Sequence, residues 1–146
     1  DGQLEKDCVV VVRGQGPQAC GMPELHSLTP LLATLQDKGF AVALVTDGRM
    51  SGASGTVPAA IHLCPEGVKG GPIGKIRDGD MLTLDAISGM LTCQADLSER
   101  EHFIPNHLLQ TGFGRGLTTL FREQASDAEQ GAGLSVLIGH HQETGL

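Results

Sequence analysis

Two glycine-rich segments hold the side chains best suited to chemistry. The first, RGQGPQACGMPE at residues 13–24, ends in the carboxylate of Glu24; the second, TDGRMSGASG at residues 46–55, carries Asp47, Arg49 and Ser51. Glu24 reads in two ways, as a negative charge in the first turn of a helix, where the dipole favours it, or as an oxygen ligand for a cation. Ser51 is a weak nucleophile or base until another group activates it, and no histidine adjoins it. A hydrolase elbow, G-x-S-x-G, is excluded because Arg49 and Ala53 stand where the glycines belong. The simplest role for Asp47 and Ser51 is to hydrogen-bond the loop backbone. Nor is the first segment a dinucleotide fingerprint, since Gly14 and Gly16 match G-x-G-x-x-G but Ala19 breaks it.

Both segments follow runs that read as strands. Residues 8–12, CVVVV, are β-branched and too short for a helix, and residues 41–45 form a second apolar run. Between them Leu25, Leu28, Leu31, Leu32 and Leu35 recur at helical spacing, with Thr29-Pro30 as a cap and first-turn proline, predicting a kinked or two-part helix that ends at Gly39. The order β, loop, α, β, loop places both segments where open α/β sheets collect ligands. Short strands are then predicted at residues 60–63, 73–76, 81–84 and 91–94, with Asp78-Gly79 and Ser88-Gly89 as turns. Ser98 with Glu101 fits a capping box for a helix to about residue 108. A further helix is predicted over 117–124 and a last strand over 134–138. The fold class read from this pattern is mixed α/β, with a small barrel-like sheet and a few helices, in one domain over residues 1–146.

Composition narrows the function classes. Ten Lys+Arg against seventeen Asp+Glu give a formal charge of −7, which disfavours a nucleic-acid or anionic-membrane partner. A small anionic ligand remains open, because Arg49, Lys69, Lys75 and Arg77 could form a locally positive pocket. No apolar run approaches the roughly 20 residues needed to span a bilayer. The start, DGQLEKDC, lacks a methionine and a signal-peptide pattern, so the chain reads as a piece of something longer. Cys8, Cys20, Cys64 and Cys93 form no C-x-x-C pair, which predicts free thiols in a reducing cytoplasm. Cys8 and Cys93 read as core residues, while Cys20 lies in a loop where it either touches a ligand or fills space. His62 reads as a semi-buried strand residue, His26 as a helix-surface residue, and His140-His141 as a solvated tail.

Taken together, RGQGPQACGMPELH, ALVTDGRMSGASG and CPEGVKGGPIGKIRDGD, spanning residues 9–80, resemble the C-terminal region of the dihydroxy-acid and phosphogluconate dehydratase family, and the GQGP…GMPELH form points to its phosphogluconate branch. The resemblance implies a hydro-lyase that removes water from a 2,3-dihydroxy acid using an iron–sulfur cluster and magnesium. It implies a β-rich swivelling β/β/α domain whose partner is its own larger N-terminal domain. That absent domain would carry the cluster cysteines, so none of the four cysteines here is assigned to the cluster. By motif, Glu24 would be a magnesium ligand and Ser51 the base, with Arg49 and Lys75 contacting the substrate phosphate. The expected whole is a cytoplasmic homodimer converting 6-phosphogluconate to 2-dehydro-3-deoxy-6-phosphogluconate in the Entner–Doudoroff pathway, with the isolated domain inactive. Another sugar-acid or dihydroxy-acid dehydratase, or a non-catalytic anion-binding module, is the alternative.

Overall fold

A computed structural model describes residues 4–51, 55–108 and 115–134. Its centre is a three-stranded parallel sheet of β1 (Cys8–Val12), β2 (Val42–Thr46) and β3 (Ala59–Ala60), in the order β1-β2-β3. The register sets Cys8 opposite Val42, Val12 opposite Thr46 and Leu44 opposite Ala59. Parallel neighbours need a crossover, here supplied by the single turn α1 (Pro17–Cys20) and the helix α2 (Leu28–Asp37).

Alternation along the strands sends side chains to two cores, because successive strand residues point to opposite faces. Cys8, Val10 and Val12 of β1 join Val42 and Leu44 of β2 on one face, where Leu32 of α2, Met50 and Val57 cover them. Val9 and Val11 join Val45 on the other, under Ile73, Ile76 and Leu82. Leu44 and Val45 are wholly buried, a contribution of roughly 1.5–3 kcal/mol each. Beyond the second face lies an antiparallel hairpin of β4 (Leu82–Asp85) and β5 (Met90–Cys93). The helix α3 (Arg115–Gln124) lies against α1, with Arg122 donating to the Ala19 carbonyl and the Gln18 amide to that of Ala125.

The mixed α/β class agrees with the sequence pattern, although the described strands form sheets of three and two rather than a closed barrel. Residues 73–76 are not a strand. Pro72–Lys75 is a 3-10 turn, and the buried pair Ile73 and Ile76 sits at the three-residue period of such a turn. The capping box at Ser98 does not form, because both its N–H and its hydroxyl bond to Asp96, at 2.9 and 2.7 Å. This local turn competes with helix entry, and residues 98–105 stay irregular, with a 3-10 turn only at Asn106–Leu108. Helix α2 starts later than its leucine spacing predicts because the Leu25 N–H donates to the Arg49 carbonyl at 3.2 Å instead. Of the last predicted strand, Leu134 makes a bridge to Ala125, while residues 135–138 and His140-His141 lie outside the described residues, as do residues 52–54 of the second loop. Among the described residues no helix is long and apolar enough to cross a membrane.

Candidate active site

The loops that leave the carboxyl ends of β1, β2 and β3 meet at one end of the parallel sheet. Glu24 and Arg49 form a parallel bridge there, joining the two glycine-rich segments backbone to backbone. The Glu24 Oε1 accepts the N–H of Ser51 at 2.9 Å and that of His26 at 2.9 Å. Its Oε2 lies 3.4 Å from Arg49 Nη1, and the Arg49 Nε donates to the Met22 carbonyl at 2.8 Å. The His26 ring closes the group, with Nδ1 3.1 Å from the Ser51 carbonyl oxygen.

Glu24 is therefore not a first-turn helix charge: α2 has no acidic residue in its first turn, and the carboxylate is spent on the second loop instead. A hydrogen bond from the Ser51 side chain holds its pKa below the usual carboxylate range, helped by the Ser51 and His26 N–H groups and the Arg49 charge, against a smaller opposing effect of desolvation. The side chain is still 32% exposed. An ionised, accessible oxygen next to a hydroxyl is what a hard cation takes, and one carboxylate is not a complete site. Among the described residues no group of three or more His, Cys, Asp or Glu side chains is placed to hold a metal ion.

The same loops also enclose a pair of carboxylates, Asp47 and Glu66. Asp47, 0% exposed, accepts the N–H of Gly14 at 3.1 Å, of Gln15 at 2.9 Å and of Gly67 at 2.9 Å. Glu66, 2% exposed, accepts the N–H of Gln18 at 2.8 Å and of Ala19 at 3.0 Å. Burial pushes the Glu66 pKa up, the two N–H bonds oppose this, and the charges of Asp47 and Asp127 add to the rise. Gly16 is required by this packing, since a Cβ there would lie 2.2 Å from the Glu66 Oε2. The Cys20 thiol points to the Gly14 carbonyl at 3.3 Å, and desolvation with the nearby Asp47 and Glu66 charges raises its pKa. Half-buried and kept protonated by that rise, it packs at the end of α1 rather than standing as a reactive thiolate.

Of the residues singled out in the sequence, Glu24, Arg49 and Ser51 come together, and Lys75 does not join their contacts. Its amine donates to the Ser98 carbonyl at 3.0 Å, and Lys69 pairs with Asp127 at 2.8 Å, so three of the four cations that could make one positive pocket, Arg49, Lys69 and Lys75, are tied to separate partners. His62 is exposed, with a left-handed φ of 57° just past β3, rather than a semi-buried strand residue. Glu66 was not legible as a buried anchor, the only hint being its place between Pro65 and Gly67. His26 was legible in part, by its closeness to Glu24 in sequence.

Residues 1–132 match the model of the dihydroxy-acid/6-phosphogluconate dehydratase C-terminal family. The chain belongs to this family. It is 54% identical over 134 residues to the phosphogluconate dehydratase of Pseudomonas aeruginosa, a span covering 90% of this chain and 22% of that protein. The phosphogluconate dehydratase of Escherichia coli K12 is 53% identical over 135 residues, with the same two coverages. A dihydroxy-acid dehydratase of Pyrobaculum neutrophilum is 35% identical over 136 residues, 90% of this chain and 23% of that protein. The chain thus spans little more than a fifth of the length of these relatives. Within the family it stands nearer these two phosphogluconate dehydratases than this dihydroxy-acid dehydratase.

Proposed function

We propose that this chain is the C-terminal domain of a hydro-lyase that dehydrates 6-phosphogluconate to 2-dehydro-3-deoxy-6-phosphogluconate, supplying Ser51 as the base and Glu24 as a magnesium ligand. The reading is carried by one contact: two residues 27 apart in sequence are held together by the Ser51 N–H on the Glu24 carboxylate at 2.9 Å. The names of the phosphogluconate dehydratases at 50% identity and above support the substrate.

The reaction removes a proton from C2 and hydroxide from C3, and the enol that results tautomerises to the 2-oxo acid. A proton beside a carboxylate is weakly acidic, and serine is a weak base at neutral pH unless its alkoxide is stabilised. When bound, magnesium would supply the positive charge that stabilises both the alkoxide and the enediolate-like charge. Glu24 and Ser51 fit that ion as hard oxygen donors already in contact, and the ionised state of Glu24 keeps it available. Ser51 would take the C2 proton on its oxygen. Arg49, half exposed beside Glu24, is the basic side chain this geometry supports for an anionic substrate group, with Lys75 the more remote candidate. Cys8, Cys20, Cys64 and Cys93 are free but, among the described residues, do not gather into a group of three or more ligands, and the iron–sulfur cluster is read as held by residues outside this chain.

The test is Ser51→Ala in the full-length, anaerobically prepared enzyme. Turnover of 6-phosphogluconate is expected to fall by about 10²- to 10⁴-fold, the usual contribution of a positioned base, with unchanged folding and cluster content. Near-normal turnover removes Ser51 from the mechanism, and faster turnover of an unphosphorylated aldonate overturns the substrate.

A further inference from the structure

We infer that Asp47 is a positioning residue for this dehydration: its buried carboxylate gathers the two glycine-rich segments and the turn at Gly67 into the one arrangement in which Glu24 meets Ser51. This deepens the proposed reaction and rests on it. Asp47 touches neither Glu24 nor Ser51. It acts on the backbone that carries them, through Gly14 and Gln15 at the start of the first segment and Gly67 in the turn Gly67–Lys69.

Three N–H donors converge on two carboxylate oxygens, Gln15 on Oδ1 and both Gly14 and Gly67 on Oδ2. Only a carboxylate accepts at both positions, and charge-assisted bonds of this kind are about twice as strong as neutral ones. An asparagine would turn an NH₂ toward at least one of these donors, leaving it unpaired in a site with no water access. The neighbouring glycines show how closely the segments approach. A Cβ on Gly48 would lie 2.6 Å from the Gln15 Cβ, and one on Gly67 would lie 3.3 Å from the Asp47 Oδ2.

The geometry separates three anchors of the first segment, of which Glu66 holds the middle through the Gln18 and Ala19 N–H groups. Asp47 holds its beginning, while the Leu25 N–H on the Arg49 carbonyl and the Arg49 Nε on the Met22 carbonyl hold its end. Glu24 sits beside the last anchor, and Ser51 is four residues beyond Asp47 on the same turn from β2. Loosening the first anchor frees the start of the segment and also Gly67, the chain neighbour of Glu66, so the support of the stretch that leads to Glu24 shifts. A displacement on the order of 1 Å costs about a hundredfold in rate when reacting groups must be aligned.

The experiment is Asp47→Asn in the full-length enzyme, with turnover of 6-phosphogluconate and amide hydrogen exchange measured on the same sample. The expected result is a fall in kcat of about ten- to a hundredfold with KM changed by less than about threefold, and faster exchange at residues 13–24 while the β4–β5 hairpin is unaltered. Asp85→Asn is the control. Asp85 also binds two backbone N–H groups, of Ile87 and Ser88, but in the hairpin turn, and its loss is expected to leave kcat unchanged. Wild-type kcat and exchange in Asp47→Asn overturn the inference, as does an equal loss of kcat in Asp85→Asn. If Asp47→Asn does not fold, exchange in the unsubstituted enzyme decides. Gly14, Gln15 and Gly67 amides as slow as those of β2 support the anchor, and amides as fast as Ile87 and Ser88 overturn it. Retained turnover in Ser51→Ala rejects the underlying reaction role without touching the exchange result, so the two failures are distinct.

Discussion

Glu24 and Glu66 are the same residue type, and each accepts two backbone N–H groups at 2.8–3.0 Å, yet their protonation equilibria move in opposite directions. Glu24, on the rim, is driven down by the Ser51 side chain, by those N–H groups and by Arg49. Glu66, under the loops, is driven up because burial outweighs its N–H bonds and because Asp47 and Asp127 lie near it. Hydrogen bonds alone therefore do not decide the charge of a carboxylate; solvent access and the sign of its neighbours do. The rim supplies a charge that a substrate or cation can use, and the floor supplies an anchor that is spent on the fold.

The comparison breaks most visibly through the floor. Glu66→Ala removes the carboxylate that accepts the Gln18 and Ala19 N–H groups and opens a cavity in its place, and is expected to cost about 3 kcal/mol, read as a lowered denaturant midpoint. A loss too small to measure would make Glu66 incidental to the fold. On the rim the effect goes to function instead: Glu24→Gln is expected to raise the magnesium concentration for half-maximal turnover by about tenfold or more, with little change in thermal midpoint. An unchanged magnesium requirement returns Glu24 to a purely structural role.

The pH dependence separates the two carboxylates by sign. A group whose folded pKa is raised contributes stability that is fully present below its unfolded pKa and lost as pH rises through the folded value. Glu66 therefore contributes a fall in stability as pH rises from the ordinary glutamate range through its raised pKa. Glu24, whose pKa is lowered, contributes stability that is present above the ordinary range and lost as pH falls through its lowered value. Denaturation of Glu66→Gln across this range is expected to lack the falling component that the unsubstituted chain shows, and identical profiles would refute the assignment. The smallest effect belongs to a solvent-screened ion pair at the surface. Lys38 and Glu5 stand 2.5 Å apart but half exposed, and Lys38→Ala should change stability by no more than about 0.5 kcal/mol.

How far the site could be read from the residues depended on the range of the interactions concerned. The valine run of β1, the apolar run of β2 and the leucines of α2 act locally, through side-chain type and spacing, so these elements were legible. The turn at Pro72–Lys75 and the irregular stretch after Ser98 were not, because each is decided by a competitor. Proline and the packing of Ile73 and Ile76 favour a turn in the first case, and the Asp96 carboxylate captures Ser98 in the second. Glu24 illustrates the same limit, since a helix-dipole role and a role facing Ser51 are equally compatible with GMPEL until the second loop is in place.

By itself the sequence determined which residue types stand at the carboxyl ends of the strands, that glycines let those loops approach closely, and which family the motifs resemble, because all of these are properties of short stretches. Only the tertiary structure decided that Glu24 faces Ser51, that Lys75 stands apart with Ser98, and that Asp47 and Glu66 lie beneath the loops as anchors. Those outcomes depend on contacts between residues tens of positions apart, and on how much water each carboxylate loses when the chain closes over it.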